Sequence, residues 1–181
     1  MSPEATGDDN TDSAEVEEST PEAPSLYGAP LSESCGQRVV HPSRDSWLDA
    51  CAAARADGFD LLTDITAVDF LTFGAPRELP EGVVAERFEV VANLSNVTTR
   101  ERIRLRVQVP GADPTLPSLF DVWPGSETPE REVYDMFGIE FSDHPDMCRV
   151  LMPDDWEGHP LRKDYAVGQI PVQFKDEGAD R

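Results

Sequence analysis

Six side chains crowded into residues 144–159 have types that could do chemistry: His144, Asp146, Asp154, Asp155, Glu157 and His159. Two imidazoles with carboxylates are a known ligand set for zinc or a harder divalent ion. An ion held by His144, Asp146, Asp155 and His159 would suit a stand-alone metal-dependent hydrolase. Against this, the spacings H-x-D and D-D-x-E-x-H put no two histidines on one helix face. Pro145 and Pro160 also bias the residues before them towards extended turns rather than a rigid ligand platform. Just upstream, Glu130, Glu132 and Asp135 crowd three acids into less than two helical turns, with Arg131 four residues before Asp135. One such pair stabilises an isolated helix by only a few tenths of a kcal/mol, so the surplus acids need cations from elsewhere. Arg149, Arg162 and Lys163 are the candidates, and the expectation is an ion-pair network tying this segment to the C-terminal stretch or to a neighbouring chain.

Other chemistries are poorly supplied. There is no G-x-S-x-G elbow, no cysteine with a base beside it in sequence, no G-x-G-x-x-G and no phosphate loop. Cys35, Cys51 and Cys148 are isolated and odd in number, which fits a reducing compartment better than a disulfide framework. Three cysteines cannot supply the four thiolates of an iron–sulfur cluster. With 36 acids against 15 bases the net charge is −21 and the pI about 4.2. That balance excludes nucleic acid and polybasic docking on anionic lipid. No apolar run approaches the roughly 20 residues of a membrane span, and the first residues have neither the basic nor the apolar region of a signal peptide. Any membrane association is expected to be peripheral, through a partner.

The elements that must position these side chains can be read from pattern. Residues 1–37 are acidic and rich in Ser, Thr and Pro, and are expected to be a disordered tail. A helix is expected near 43–57, with Ser43 as cap candidate, Asp45 in the first turn, Trp47, Leu48, Cys51 and Ala54 as a stripe, and Gly58 as the stop. Residues 59–70 read as a strand. Phe88, Val90, Ala92 and Leu94 alternate with other residues, as do Ile103, Leu105, Val107 and Val109, which predicts an antiparallel hairpin with one face in the core. Arg102, Arg104 and Arg106 then form a stripe on the opposite face, either paired with Glu89 or Glu86 across the sheet or serving as a dock for an acidic surface. A short helix follows, capped by Thr128, with Pro129 first, Val133, Met136 and Phe137 buried, and Gly138 as its end. Trp123 and Trp156 read as core plugs or interface anchors, Trp156 more as an anchor. The fold class is α+β: a small two-layer domain, a mixed sheet with an antiparallel hairpin packed against short helices, and an extended C-terminal segment.

Two stretches carry a resemblance. Glu130-Arg131-Glu132-Val133-Tyr134-Asp135-Met136-Phe137-Gly138-Ile139 with His144-Pro145-Asp146, and Asp154-Asp155-Trp156-Glu157-Gly158-His159-Pro160-Leu161-Arg162-Lys163-Asp164-Tyr165, resemble the signature of the C subunit of the proton-translocating NADH:quinone oxidoreductase, respiratory complex I, the thirty-kilodalton subunit family. Two positions depart from it: Cys148 stands where the family tends to carry a basic residue, and Ala166 where a proline commonly follows the tyrosine. The resemblance implies a family domain over 38–172, with 173–181 as a disordered end. It implies a structural, non-catalytic subunit of the hydrophilic arm, peripheral on the cytoplasmic face of the cell membrane. Such a subunit binds no cofactor or metal of its own, while FMN, iron–sulfur clusters and quinone sit in partners, chiefly the D-type subunit that forms the quinone cavity. Related subunits occur in membrane-bound hydrogenases and other quinone-reducing dehydrogenases, and these residues leave that alternative open. The expected interface is Glu130, Arg131, Glu132, Asp135, His144, Trp156, His159, Arg162, Lys163 and Asp164.

Overall fold

A computed structural model describes residues 23–166. In chain order its elements are β1 (Ser25–Leu26), β2 (Ala29–Ser34), β3 (Gln37–Val40), α1 (Trp47–Ala56), β4 (Leu61–Asp69), β5 (Phe88–Ser95), β6 (Arg102–Val109), β7 (Thr115–Pro117), α2 (Glu127–Phe137) and β8 (Glu140–Ser142). A 3-10 turn, Pro124–Ser126, leads into α2. The six strands β1-β2-β3-β6-β5-β4 form one sheet, and β7 and β8 form a parallel pair. All contacts within the larger sheet are antiparallel except β3 with β6, so the sheet is mixed as the fold class expected.

The hairpin of β5 and β6 follows from the alternation. Phe88 pairs with Val109, Val90 with Val107, Ala92 with Leu105 and Leu94 with Ile103. These eight side chains are at most 1% exposed and pack with Trp47, Ala50, Cys51 and Ala54 of α1 and with Val133, Met136 and Phe137 of α2. The two helices therefore cover one face of the sheet. The opposite face presents Glu89, Val91, Asn93, Arg104 and Arg106, with Thr66, Val68 and Phe70 alongside. Part of it is roofed by the loop after β4. Arg77 reaches over from that loop to donate to Gln108 Oε1 at 2.7 Å and to lie 3.7 Å from Glu89, stacked on the Phe70 ring at 4.0 Å.

Several expectations need correction. The expected disordered tail does not extend to residue 37, because Leu31–Ser34 pairs with Gln37–Val40 and β3 then joins β6 in parallel. Residues 1–22 and 173–181 lie outside the described residues. The cap of α1 is Ser46 rather than Ser43, and Asp49, not Asp45, occupies the first turn. Ser43 and Ser46 instead brace each other, each backbone N–H donating to the other's hydroxyl at 3.0 and 3.2 Å. Helix α2 starts at Glu127, so Thr128 and Pro129 lie inside its first turn. A proline is tolerated there because the first helical N–H groups have no intrahelical acceptor to lose. Gly138 closes α2 in the left-handed region, φ 68°, and donates its N–H to the Tyr134 carbonyl at 2.8 Å.

Leu105 lies fully buried in the middle of this core. Leu105→Ala should cost about 3 kcal/mol in urea unfolding with an unchanged m-value. A loss under about 1 kcal/mol would mean the core is not packed around β6.

Candidate functional site

Helix α2 is the hub, and Asp135 is its main fixture. The amphipathic spacing turns Val133, Met136 and Phe137 inward, and Asp135 lies between them, also fully buried. One carboxylate oxygen accepts from Arg149 Nη1 at 2.5 Å; the other accepts three successive backbone N–H groups, from Val150 at 3.1 Å and from Leu151 and Met152 at 2.8 Å. Burial alone would push this carboxyl up. The amides of Met152 and Leu151, the Arg149 guanidinium and the Val150 amide outweigh it and hold the group below the ordinary carboxylate range. A buried charge is tolerated only when matched in this way.

The C-terminal end of α2 is finished by the same distant segment. A helix leaves its last carbonyls without intrahelical donors. His159 Nδ1 lies 3.0 Å from the Asp135 carbonyl, the Leu161 N–H donates to Met136 at 3.0 Å, and Arg162 Nε donates to Phe137 at 2.5 Å. Arg162 Nη2 also reaches the Gly138 carbonyl at 3.3 Å. The guanidinium thus stands at the negative end of the helix dipole, where a cation is favoured. Burial, partly offset by the Asp135 carbonyl, pushes the His159 imidazole down. The N-terminal half of α2 has its own staple. Glu130, fully buried, accepts from Ser118 Oγ at 2.5 Å and from the Leu119 N–H at 2.7 Å. Burial drives this carboxyl up, and those donors with nearby His144 offset it only in part. His144 Nδ1 accepts the Asp146 N–H at 3.1 Å, which fixes the proton on Nε2, facing the Glu127 carbonyl at 3.1 Å.

Of the expected ion-pair network, the described residues show one pair between an acid of α2 and a later cation, Asp135 with Arg149. Arg131 does not pair with Asp135; it crosses to Cys148, with Nη2 2.8 Å from Sγ and Nε 3.2 Å from the carbonyl. Cys148 stands where the resemblance expects a basic residue, and a cation there would repel Arg131. Lys163 contributes its backbone N–H, given to Asp69 at 2.9 Å. Asp69 and Arg87 were not anticipated. Asp69 takes two bonds from Arg87, at 3.1 and 2.9 Å, and Arg87 also holds Asp164 at 2.9 Å. The signal was an acid in register with the core positions Ile65 and Ala67. Glu130 and Asp135 face inward, so they organise the outer surface rather than lie on it. That surface consists of exposed Glu132, Lys163 and Asp164, half-buried Arg131, Trp156, His159 and Arg162, and an apolar ridge: Val150, Leu151 and Leu161, 38%, 56% and 48% exposed, whereas the His144 side chain, expected at the interface, is fully enclosed.

The residues of the metal reading are not brought together. His144 serves the first turn of α2 and His159 the last, and eight residues separate the carbonyls they contact, about 12 Å along a helix. Among the described residues no three of His, Cys, Asp and Glu converge as a ligand set. Trp123 is a core plug, its indole N–H donating to the Phe59 carbonyl at 3.2 Å. Trp156 is half-buried, and its indole N–H is enclosed without an acceptor among the described residues. On the opposite sheet face, Arg106 pairs with Glu89 at 2.6 Å, whereas Arg102 and Arg104 have no carboxylate within 4.0 Å among the described residues.

Residues 40–170 match the family described as respiratory-chain NADH dehydrogenase, 30 Kd subunit. The C subunit of NADH-quinone oxidoreductase from Acidothermus cellulolyticus is 43% identical over 143 residues, which cover 77% of this chain and 69% of that protein. The corresponding protein of Salinispora arenicola is 41% identical, covering 77% and 54%, and that of Thermus thermophilus 43%, covering 76% and 65%. The chain thus spans from about half to somewhat over two thirds of these relatives. A trypsin-resistant fragment of Nqo5 is similar in structure, with TM-score 0.58, 38% identity, and coverage of 66% of this chain and 89% of that one. A chain of an archaeal membrane-bound sulfane sulfur reductase, at 24% identity and TM-score 0.64, covering 84% of this chain and 90% of its own, shares the fold.

Asp135→Asn should cost about 3–5 kcal/mol at neutral pH, because one amide oxygen cannot replace a carboxylate that meets four donors. The native carboxyl is depressed, so its contribution is present above the unfolded value near ~3.9 and lost as pH falls through the folded value. Urea unfolding at neutral and acid pH should show the gap between wild type and variant closing below about pH 4. A gap independent of pH would contradict the assignment.

Proposed function

We propose a structural role for this chain from one premise: it belongs to the family described as respiratory-chain NADH dehydrogenase, 30 Kd subunit. Its relatives are named as the C subunit of NADH-quinone oxidoreductase, and this chain is accordingly a hydrophilic-arm subunit of such a complex and part of an oxidoreductase. In the finer reading, the whole complex passes electrons from NADH through FMN and iron–sulfur clusters to a quinone and couples this to proton translocation. The present chain performs no step of that chemistry and holds no cofactor. Its domain spans residues 38–172, and it packs chiefly against the D-type subunit that forms the quinone cavity, peripherally on the cytoplasmic face of the cell membrane. Among the described residues no helix is long and apolar enough to cross a membrane.

One observation carries this reading: an apolar ridge without regular secondary structure is nevertheless held rigidly in place. Val150, Leu151 and Leu161 stay exposed although the backbone beneath them is pinned to Asp135 and to the end of α2. Large apolar side chains on a fixed surface mark a contact that another protein covers. Exposed Glu132, Lys163 and Asp164 with half-buried Arg131, His159 and Arg162 form the polar rim. Arg162 and His159 also serve the chain's own helix, so their loss reports on folding as well as on assembly. The ridge is the cleaner probe.

Leu151→Asp and Leu161→Asp should each leave the isolated chain's stability within about 0.5 kcal/mol, since exposed positions are tolerant. The same variants should markedly reduce recovery of the chain with its sister subunits when the complex is purified from native membranes. Full retention in the purified complex would contradict the ridge as the contact. Purification of the wild-type chain alone, with no sister subunit bound, would contradict the subunit role itself. Identifying the co-purified chains also names the electron donor.

A further inference from the structure

The sheet face opposite the helices carries a charge pattern that neither the Asp135 site nor the core accounts for. Among the described residues, eight of the twelve arginines lie within 4.0 Å of a carboxylate. Arg162 serves the carbonyls at the end of α2. The other three are Arg100, Arg102 and Arg104, at alternate positions leading into and along β6. In a chain with 36 acids and 15 bases, unpaired arginines are the reverse of what composition favours. Register explains how two of them stay unpaired: Arg102 lies opposite Ser95, and Arg104 stands between Asn93 and Val39, all neutral. The acids of this face do not meet them. Glu89 is buried and held by Arg106 at 2.6 Å and by the Gln108 amide at 2.5 Å. Exposed Asp64 only shares an open depression with Arg102 and Arg104. Beside the arginines lies an open groove of about 470 Å³, lined by Val68, Phe70 and Val91 as well as by Arg104. Val68 is 38% exposed there.

We propose that this face docks an acidic segment of a partner protein, with its carboxylates on Arg102 and Arg104 and its apolar side chains in the groove at Val68 and Val91. Charge complementarity selects the occupant. The two arginines project from Cα positions about 6.6 Å apart, close to the spacing of side chains one turn apart on a helix or two apart on a strand. Two carboxylates of one segment can therefore meet both, each in the bidentate geometry that a guanidinium fork offers. A small hydrated anion would leave the apolar groove uncovered, and the net charge of −21 repels nucleic acid. A second copy packed about a two-fold axis would bring the stripe against itself, arginine facing arginine. The charge pairs set orientation and encounter, while burial in the groove supplies affinity that exposed pairs alone do not. The proposal rests on the subunit reading only in where the partner is sought, among the sister chains.

The test places a photo-cross-linking amino acid in the full chain, either at Thr66 beside the groove or at Leu151 on the ridge. The complex is purified from native membranes and irradiated. Position 66 should link to a sister-chain peptide that carries at least two carboxylates and no base. Arg104→Glu should lower that yield about tenfold, because reversing a charge at a contact replaces attraction by repulsion. The yield at position 151 and the urea midpoint of the isolated chain should not change. Arg104→Gln replaces the reversal should that variant fail to fold, and should lower the yield in the same direction. Changing the linked carboxylate to Lys should restore the link in the Arg104→Glu chain. A link to a basic peptide, to another copy of this chain or within the chain itself would overturn the proposal, as would a yield indifferent to Arg104. Absence of any link at position 66 would overturn it too. With a link at 151 the subunit role then stands and only this surface fails; with none at either position both fail.

Discussion

A single carboxylate organises the part of this molecule that has no regular structure. Residues 143–166 form no helix and no strand, so ordering them costs entropy that no ladder of backbone bonds offsets. Asp135 supplies what is missing by gathering three successive amides and one guanidinium around a fully buried charge. Arg149, fixed by that charge, then reaches the Gly158 carbonyl at 3.1 Å and draws the returning chain towards the helix end. There the carbonyls of Asp135, Met136, Phe137 and Gly138 find His159, Leu161 and Arg162. The loop caps the helix and the helix orders the loop; neither half is satisfied alone.

That dependence gives several chemistry-bearing residue types here a structural task. Glu130, Asp135, His144, His159 and Asp164 are engaged at helix ends, with backbone amides and in the Asp69–Arg87–Asp164 brace that ties the segment to the sheet. Val150, Leu151 and Leu161 stay outside over a fixed backbone, as do charged side chains such as Glu132, Asp154 and Asp155. The sheet behind it has a separate polar face, partly roofed by Arg77 and otherwise basic.

Legibility in the sequence followed the range of the interactions. Period-two alternation in residues 88–94 and 103–109 revealed the hairpin with the correct residues inside, because burial on one face and adjacency in sequence act together. Gly138 marked the helix end for the same local reason. The strands of residues 25–40 were not legible: A-P-L-S-E-S and Q-R-V-V are short and half polar, and β3 is a strand because it pairs in parallel with β6, some 60 residues on. Of the acidic cluster on α2, Asp135 meets a distant cation among the described residues, whereas Glu130 is held by Ser118 and the Leu119 amide. Which cation meets which acid depends on which helix face is buried, so the local Arg131–Asp135 pair gave way to Arg149. Asp69 went unnoticed although its place in a core register was visible.

Hydrogen exchange at the amides of Val150, Leu151, Met152 and Leu161 tests this account most directly. These four lie in turns near the surface, where amides ordinarily exchange close to unstructured rates. If Asp135 and the end of α2 hold them, they exchange slowly, in step with the amides of α2 itself. Exchange at coil-like rates while α2 stays protected would show that the carboxylate does not order this surface.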